Sequence, residues 1–119
     1  MHPVTAKLIE RKQPALPVAT KTVLVSNRLG LHARPSALLV KTLRPFDTAV
    51  TVQKGTDRVD AKSILGVMML AAGHGTTLTF AATGKDAGKA LDAIQQLFDR
   101  QFDEAYKPDA DIQQLLRKL

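Results

Sequence analysis

Apolar positions recur along the chain with two different periods, and the period separates strands from helices. Alternation of apolar and polar residues is typical of a half-buried β-strand, whereas a spacing of three or four is typical of an amphipathic helix. Strands are predicted over residues 21–26, 49–53, 59–61 and 78–82, with a hairpin turn over 54–57. Helices are predicted over residues 33–43 and 64–72 and from residue 86 onward. The order βαββαβα predicts an α+β fold with one four-stranded antiparallel sheet and three helices on a single face.

Local signals place the ends of these helices. Pro45 ends the first helix, because the residue before a proline avoids the helical region. Ser63 is a typical N-cap for the second helix, and the Gly-His-Gly run at 73–75 ends it. The third helix has one apolar face, formed by Ala87, Leu91, Ile94 and Phe98.

Residues 27–35 connect the first strand to the first helix and contain the strongest chemical signal in the chain. Gly30 allows a tight turn, and Pro35 in the first helical turn removes no helix hydrogen bond, so His32 is predicted to be the N-cap. The start of a helix has unpartnered N–H groups and a partial positive charge, which favour phosphate binding. The pattern therefore predicts a phosphate site with His32 as nucleophile and Arg34 beside it. The alternative is that His32 merely caps the helix, although histidine is a poor cap beside Ser, Thr, Asp or Asn.

The two ends of the chain differ from the middle. Residues 1–20 contain three prolines and several charges without a sustained period, which predicts a flexible basic arm. A single domain is predicted over 21–103, followed by an extension over 104–119. In the extension, apolar residues with helical spacing predict an amphipathic helix: Ile112, Leu115, Leu116 and Leu119. Folding back on the domain is favoured over pairing with a second copy or binding a partner, because so short a helix needs packing.

Composition narrows the function classes. The chain has no cysteine, which excludes disulfides and thiolate metal sites, and its acidic residues show no metal-ligand spacing. No metal or cofactor is expected. The chain has neither an apolar run of about 20 residues, which a membrane span needs, nor the apolar stretch of a signal peptide, so a cytoplasmic protein is predicted.

The net charge is +6, and residues 11–46 contain seven basic residues and no acidic one. Such a surface around His32 would attract acidic protein partners, although for any one of these residues solvated surface is the favoured explanation.

Two segments resemble one known family. Residues 30–35, Gly-Leu-His-Ala-Arg-Pro, resemble the active-site signature of HPr, the histidine-containing phosphocarrier of the bacterial phosphotransferase system. Residues 62–70, Lys-Ser-Ile-Leu-Gly-Val-Met-Met-Leu, resemble the regulatory-serine helix of that family. The resemblance covers residues 21–103 and implies an open-faced β-sandwich. It also implies a stoichiometric phosphocarrier rather than an enzyme with turnover of its own.

The resemblance assigns roles to individual residues. His32 would accept a phosphoryl group through Nδ1 from phosphorylated enzyme I, which is charged from phosphoenolpyruvate. Arg34 would pair with the phosphate oxygens, and the backbone N–H groups of Ala33 and Arg34 would receive the phosphate. The acceptor would be an IIA-type protein in sugar transport or in nitrogen-related regulation. Ser36 stands where the family often has alanine, and no change of chemistry is expected from it.

The second segment carries a regulatory and a docking prediction. Ser63 would be phosphorylated by an HPr kinase/phosphorylase, although helix capping alone also explains a serine there. Of Met68 and Met69, one is expected to face the core and the other a partner. The docking residues are predicted to be Arg28, Leu31, Ile64, Leu65, Met68 and Met69.

Two other functions are compatible with the sequence. One is a regulatory adaptor that binds proteins through the Ser63 helix, but it would have no need of the His32–Arg34 pair. The other is a basic nucleic-acid-binding regulator, which the small number of aromatic residues disfavours: the chain has four Phe and one Tyr. His74 is assigned to a loop after a helix end, without a chemical role.

Overall fold

The computed structural model describes residues 18–103, and the predictions for the arm before residue 18 and for the extension after residue 103 lie outside them. The described elements confirm the order βαββαβα. They are β1 (Val18–Leu24), α1 (Ala33–Leu43), β2 (Ala49–Lys54), β3 (Asp57–Asp60), α2 (Ile64–Met69), β4 (Thr77–Thr83) and α3 (Ala87–Asp99), followed by a turn of three left-handed residues over Gln101–Asp103.

The four strands form one antiparallel sheet in the order β1-β4-β2-β3. Strand β4 lies in the interior of the sheet, where Phe80 is opposite both Lys21 of β1 and Val52 of β2. Its residues alternate between buried and accessible, as the sequence pattern predicts, because only one face of the sheet is covered by helices. The predicted α+β architecture is therefore confirmed.

The core lies between the sheet and the apolar faces of α1 and α3. The predicted face of α3 is buried against this core, and Phe98 on that face contacts Phe80 edge to face, with ring centroids 5.7 Å apart. Leu39 and Leu43, four residues apart on α1, are fully buried on the same side of the sheet. Helix α1 ends at Leu43, directly before the predicted Arg44-Pro45 boundary. None of the helices in residues 18–103 is long and apolar enough to cross a membrane.

The boundaries of several elements differ from the prediction. Strand β1 begins at Val18, because β4 extends to Thr83 and pairs with it there, so residues 18–20 belong to the sheet and not to the arm. Helix α2 ends at Met69 rather than Ala72, because Ala71 adopts a left-handed conformation (φ 51°) that stops the helix before the glycines. Strands β1 and β3 also end before the predicted residues.

Candidate phosphate-accepting site

His32 lies at the N-terminus of α1, as predicted. Its backbone is extended (φ −77°, ψ −169°), and its carbonyl accepts the first helical hydrogen bond from the Ser36 N–H at 3.1 Å. Its imidazole does not cap the helix, so the interpretation of His32 as a capping side chain is wrong. The ring is half-buried at the end of the helix where the macrodipole is positive. This placement suits an imidazole that must meet an incoming phosphoryl group.

The first turn of α1 favours negative charge. It contains no acidic residue, and Arg34 occupies its second position with an exposed side chain. A guanidinium has a planar fork of donors that matches two phosphate oxygens, which the ammonium of a lysine does not. Arg34 therefore adds a positive side chain to the positive end of the helix.

Gly30 fixes the turn before His32 by a close approach to another loop. It has a left-handed φ of 72°, as a tight turn requires. A Cβ at this position would lie 2.5 Å from the Ala72 carbonyl oxygen and 2.7 Å from the Gly73 Cα. The neighbouring Leu31 N–H donates to the same Ala72 oxygen at 2.8 Å. The turn that holds His32 is thus packed backbone to backbone against the segment that follows α2.

Two buried polar side chains, to which the sequence analysis gave no role, hold this turn from within. The Asn27 Nδ2 donates to the Gly30 carbonyl oxygen at 2.7 Å, and the Ser36 hydroxyl donates to the Leu31 carbonyl oxygen at 3.1 Å. Both residues are almost completely buried. An alanine at position 36 would lose the hydrogen bond from the Ser36 hydroxyl to the Leu31 carbonyl oxygen. An asparagine three residues before a glycine is a known turn signal and could have revealed Asn27 from the sequence.

Ser63 caps α2, as predicted. Its Oγ accepts a hydrogen bond from the Gly66 N–H at 3.0 Å, and its backbone is extended. The side chain is half-buried, and the first turn of α2 contains no acidic residue. A phosphate on this hydroxyl would therefore meet no negative side chain within that turn.

The predicted docking residues separate into exposed and buried ones. Four side chains of α2 are exposed, and Leu65 and Met69 are exposed most, at 69% and 73%. We call these four the α2 surface: Ile64, Leu65, Met68 and Met69. Arg28 is also exposed.

Leu31 is only 4% exposed and belongs to the core, so its assignment to docking is wrong. The hydrogen bond from its N–H to Ala72 holds it in the turn that packs against the segment after α2. The expectation that either Met68 or Met69 faces the core is also wrong, because Val67 and Leu70 fill that position. Leu29, which no sequence pattern singled out, is 68% exposed in the turn before Gly30.

His74 lies in an exposed turn in which the Thr76 N–H donates to the Gly73 carbonyl oxygen at 3.1 Å, as its assignment to a loop predicted. Within residues 18–103, no group of three or more His, Asp or Glu side chains is placed to hold a metal ion.

Comparison with known proteins identifies the family. A model of the PTS-HPr family, described as the PTS HPr component phosphorylation site, matches residues 19–100, which include both His32 and Ser63. The chain belongs to the HPr family. It is a phosphocarrier of a phosphotransferase system, as its resemblance at the His32 segment implied.

HPr-family relatives cover nearly all of the described domain. The phosphocarrier protein HPr of Treponema pallidum is 47% identical over 87 residues, which are 73% of this chain and 99% of that protein. The phosphocarrier protein NPr of Shewanella violacea is 44% identical over 85 residues, covering 71% of this chain and 93% of its own length. The crystal structure of HPr-C-His from Thermoanaerobacter tengcongensis superposes with a TM-score of 0.70 at 37% identity, covering 72% of this chain and 97% of that one. The open-faced β-sandwich implied by the resemblance is confirmed.

Proposed function

We propose that His32 is the phosphoryl acceptor of this HPr-family protein and that its Nδ1 is the reacting atom. The Nδ1 lone pair attacks phosphorus of the phosphohistidine of enzyme I, and the bond from phosphorus to the donor's ring nitrogen breaks. In the next step, the same exchange passes the group from His32 to an IIA-type protein. The observation that carries this proposal is that His32 is the N-cap residue of α1 while its imidazole makes no capping hydrogen bond to the helix.

Arg34 and the backbone of the first turn stabilise the phosphoryl group in this proposal. Catalysis of phosphoryl transfer depends mainly on positioning and on charge stabilisation. The Arg34 guanidinium pairs with two phosphate oxygens, and the N–H groups of Ala33 and Arg34 point from the positive end of α1 toward the third. The protein needs no metal for these contacts. It acts in the cytoplasm as a stoichiometric carrier, without turnover of its own.

The α2 surface and Arg28 form the docking site in this proposal. Helix α2 packs directly against α1, whose N-cap is His32, so a protein seated on the α2 surface approaches the imidazole. Exposed methionine and leucine side chains adapt to several partners. The excess of basic over acidic residues before Asp47 favours partners with acidic surfaces. Enzyme I and the IIA-type protein would then use the same site in turn.

Ser63 is the regulatory residue in this proposal. An HPr kinase would place a doubly charged phosphate on its Oγ, directly beside the α2 surface. The helix N-terminus tolerates that charge, while an acidic partner is repelled by it. Phosphorylation at Ser63 therefore lowers the affinity for enzyme I without unfolding the domain.

The deciding experiment measures intact mass after incubation with phosphoenolpyruvate and enzyme I. We expect a gain of one acid-labile phosphate that is lost in His32→Ala. The matched control is His74→Ala, which removes an exposed loop histidine and keeps the phosphate. If an active, species-matched enzyme I gives no gain, or if His32→Ala still gains it, the proposal is wrong. Adding IIA-type proteins of the sugar and nitrogen-related branches then shows which of them discharges the phosphorylated protein.

A further inference from the structure

Lys54 makes a contact that has no part in the chemistry described so far. It is the last residue of β2, and its half-buried side chain reaches the segment directly after α2. Its Nζ donates to the Leu70 carbonyl oxygen at 2.8 Å and lies 3.3 Å from the Ala71 carbonyl oxygen. The last carbonyl groups of a helix lack helical partners and carry partial negative charge. The ammonium group therefore stabilises the C-terminus of α2 from a neighbouring element.

The segment that Lys54 holds is conformationally demanding. Ala71 has a φ of 51°, a left-handed conformation in which its Cβ is crowded by the following carbonyl. Many helices end in this conformation with a glycine, which avoids the crowding. Here the residue is alanine, and the contacts of Lys54 with Leu70 and Ala71 hold the backbone in place.

The next residue of this segment connects it to the active-site turn. The Ala72 carbonyl oxygen accepts the Leu31 N–H at 2.8 Å and lies against the Gly30 Cα, where no side chain would fit. Leu31 directly precedes His32. The backbone of residues 70–72 therefore holds the turn that precedes His32 in position. Lys54 in turn holds that backbone through its contacts with Leu70 and Ala71.

We infer that Lys54 is a positioning residue for phosphoryl transfer at His32, which rests on the function proposed above. Lys54 contacts neither the imidazole nor the phosphoryl group. It acts through Leu70 and Ala71 on the Ala72 carbonyl, and through that carbonyl on the Leu31 amide. An active-site group that shifts by about 1 Å loses up to a hundredfold in rate, so a loosened turn is measurable.

The test uses the full chain with Lys54→Met, which keeps the length of the side chain and removes its charge and donors. Lys54→Arg is the conservative variant, because it restores a cation and donors. Thr48→Val is the matched control: Thr48 is buried before the other end of β2, and its hydroxyl donates to the Thr83 carbonyl oxygen at 2.7 Å. That variant also loses a side-chain hydrogen bond to a backbone carbonyl, but far from the turn at His32.

Two readouts separate positioning from a general loss of stability. The first is amide hydrogen exchange at Leu31 in the free protein, which needs no partner and no phosphate. We expect Lys54→Met to accelerate it about tenfold and Thr48→Val to leave it within about twofold of the unmodified protein. The second is the rate constant for phosphorylation by enzyme I, which we expect to fall about tenfold in Lys54→Met. Lys54→Arg should restore both quantities.

Three results overturn the inference. One is a Leu31 exchange rate in Lys54→Met no faster than in Thr48→Val. A second is slow phosphorylation with unchanged Leu31 exchange, which means that the Lys54 charge acts on the partner. A third is faster Leu31 exchange with an unchanged rate of phosphorylation. Failure of the proposed function itself is recognised separately, by the absence of His32-dependent phosphate in the unmodified protein.

Discussion

Gly30→Ala tests the close backbone approach in the turn before His32. The new Cβ would lie 2.5 Å from the Ala72 carbonyl oxygen and 2.7 Å from the Gly73 Cα. Both neighbours are backbone atoms, so neither can rotate away, and the turn before His32 has to move. The substitution therefore acts on stability and on the position of the imidazole together.

The magnitude has two separable parts. A left-handed φ of 72° is unfavourable for alanine by about 1–2 kcal/mol, partly offset because alanine also restricts the unfolded chain. The steric overlap adds about 1–3 kcal/mol, the usual range for overpacking a closed site. Gly55→Ala isolates the first part, because Gly55 has a φ of 59° and open space where its Cβ would point. The difference between the two variants is therefore the overlap alone.

Urea unfolding of both variants measures this difference. We expect Gly30→Ala to be less stable than Gly55→Ala by about 1–3 kcal/mol at an unchanged m-value. Phosphorylation of His32 by enzyme I should slow only in Gly30→Ala, because a shift of the turn at Gly30 moves Leu31 and the adjoining His32. Gly55 lies in a different turn and has no such connection. Equal free energies of unfolding for the two variants would refute the close packing of Gly30 against Ala72. An unchanged phosphorylation rate in a destabilised Gly30→Ala would refute the link from this packing to His32.

Further predictions concern α2 and the residues around it. Ala71→Gly should raise the free energy of unfolding by about 1 kcal/mol and Tm by about 4–8 °C, because glycine adopts a left-handed φ without the crowding that the exposed Cβ of Ala71 suffers. A lower Tm would contradict this prediction. Ser63→Ala should lower the free energy of unfolding by about 1 kcal/mol, because the Gly66 N–H loses its capping hydrogen bond. The same variant should abolish labelling by an HPr kinase with ATP. Persistent labelling would place the modification at another residue. Leu65→Asp should weaken enzyme I binding in calorimetry and change the free energy of unfolding by less than about 0.5 kcal/mol, because Leu65 is exposed. Leu31→Ala should instead lower the free energy of unfolding by about 2–5 kcal/mol, because Leu31 is buried. The reverse pattern would contradict the exposure of these two side chains.

The sequence by itself determined the features that depend on neighbours within a few positions. Alternation in β4 predicted its buried face, because a one-sided sheet forces every second side chain into the core. Pro35 and Gly30 predicted a helix that starts after His32, since proline fixes its own φ in the first helical turn and glycine allows the left-handed turn before it. The spacing of apolar residues in α3 predicted its buried face for the same local reason.

Only the tertiary structure decided the features that join residues distant in sequence. Leu31 resembles an exposed loop leucine in sequence, yet its side chain is buried in the core. Its N–H group donates a hydrogen bond to the carbonyl oxygen of Ala72, which is 41 positions away. The end of α2 depends on a left-handed Ala71 and on a lysine from β2, neither of which a local pattern indicates. Strand β1 begins at Val18 because Thr83 is there to pair with it. A local pattern records backbone preference and burial, whereas the site around His32 depends on which distant backbone groups fold against it.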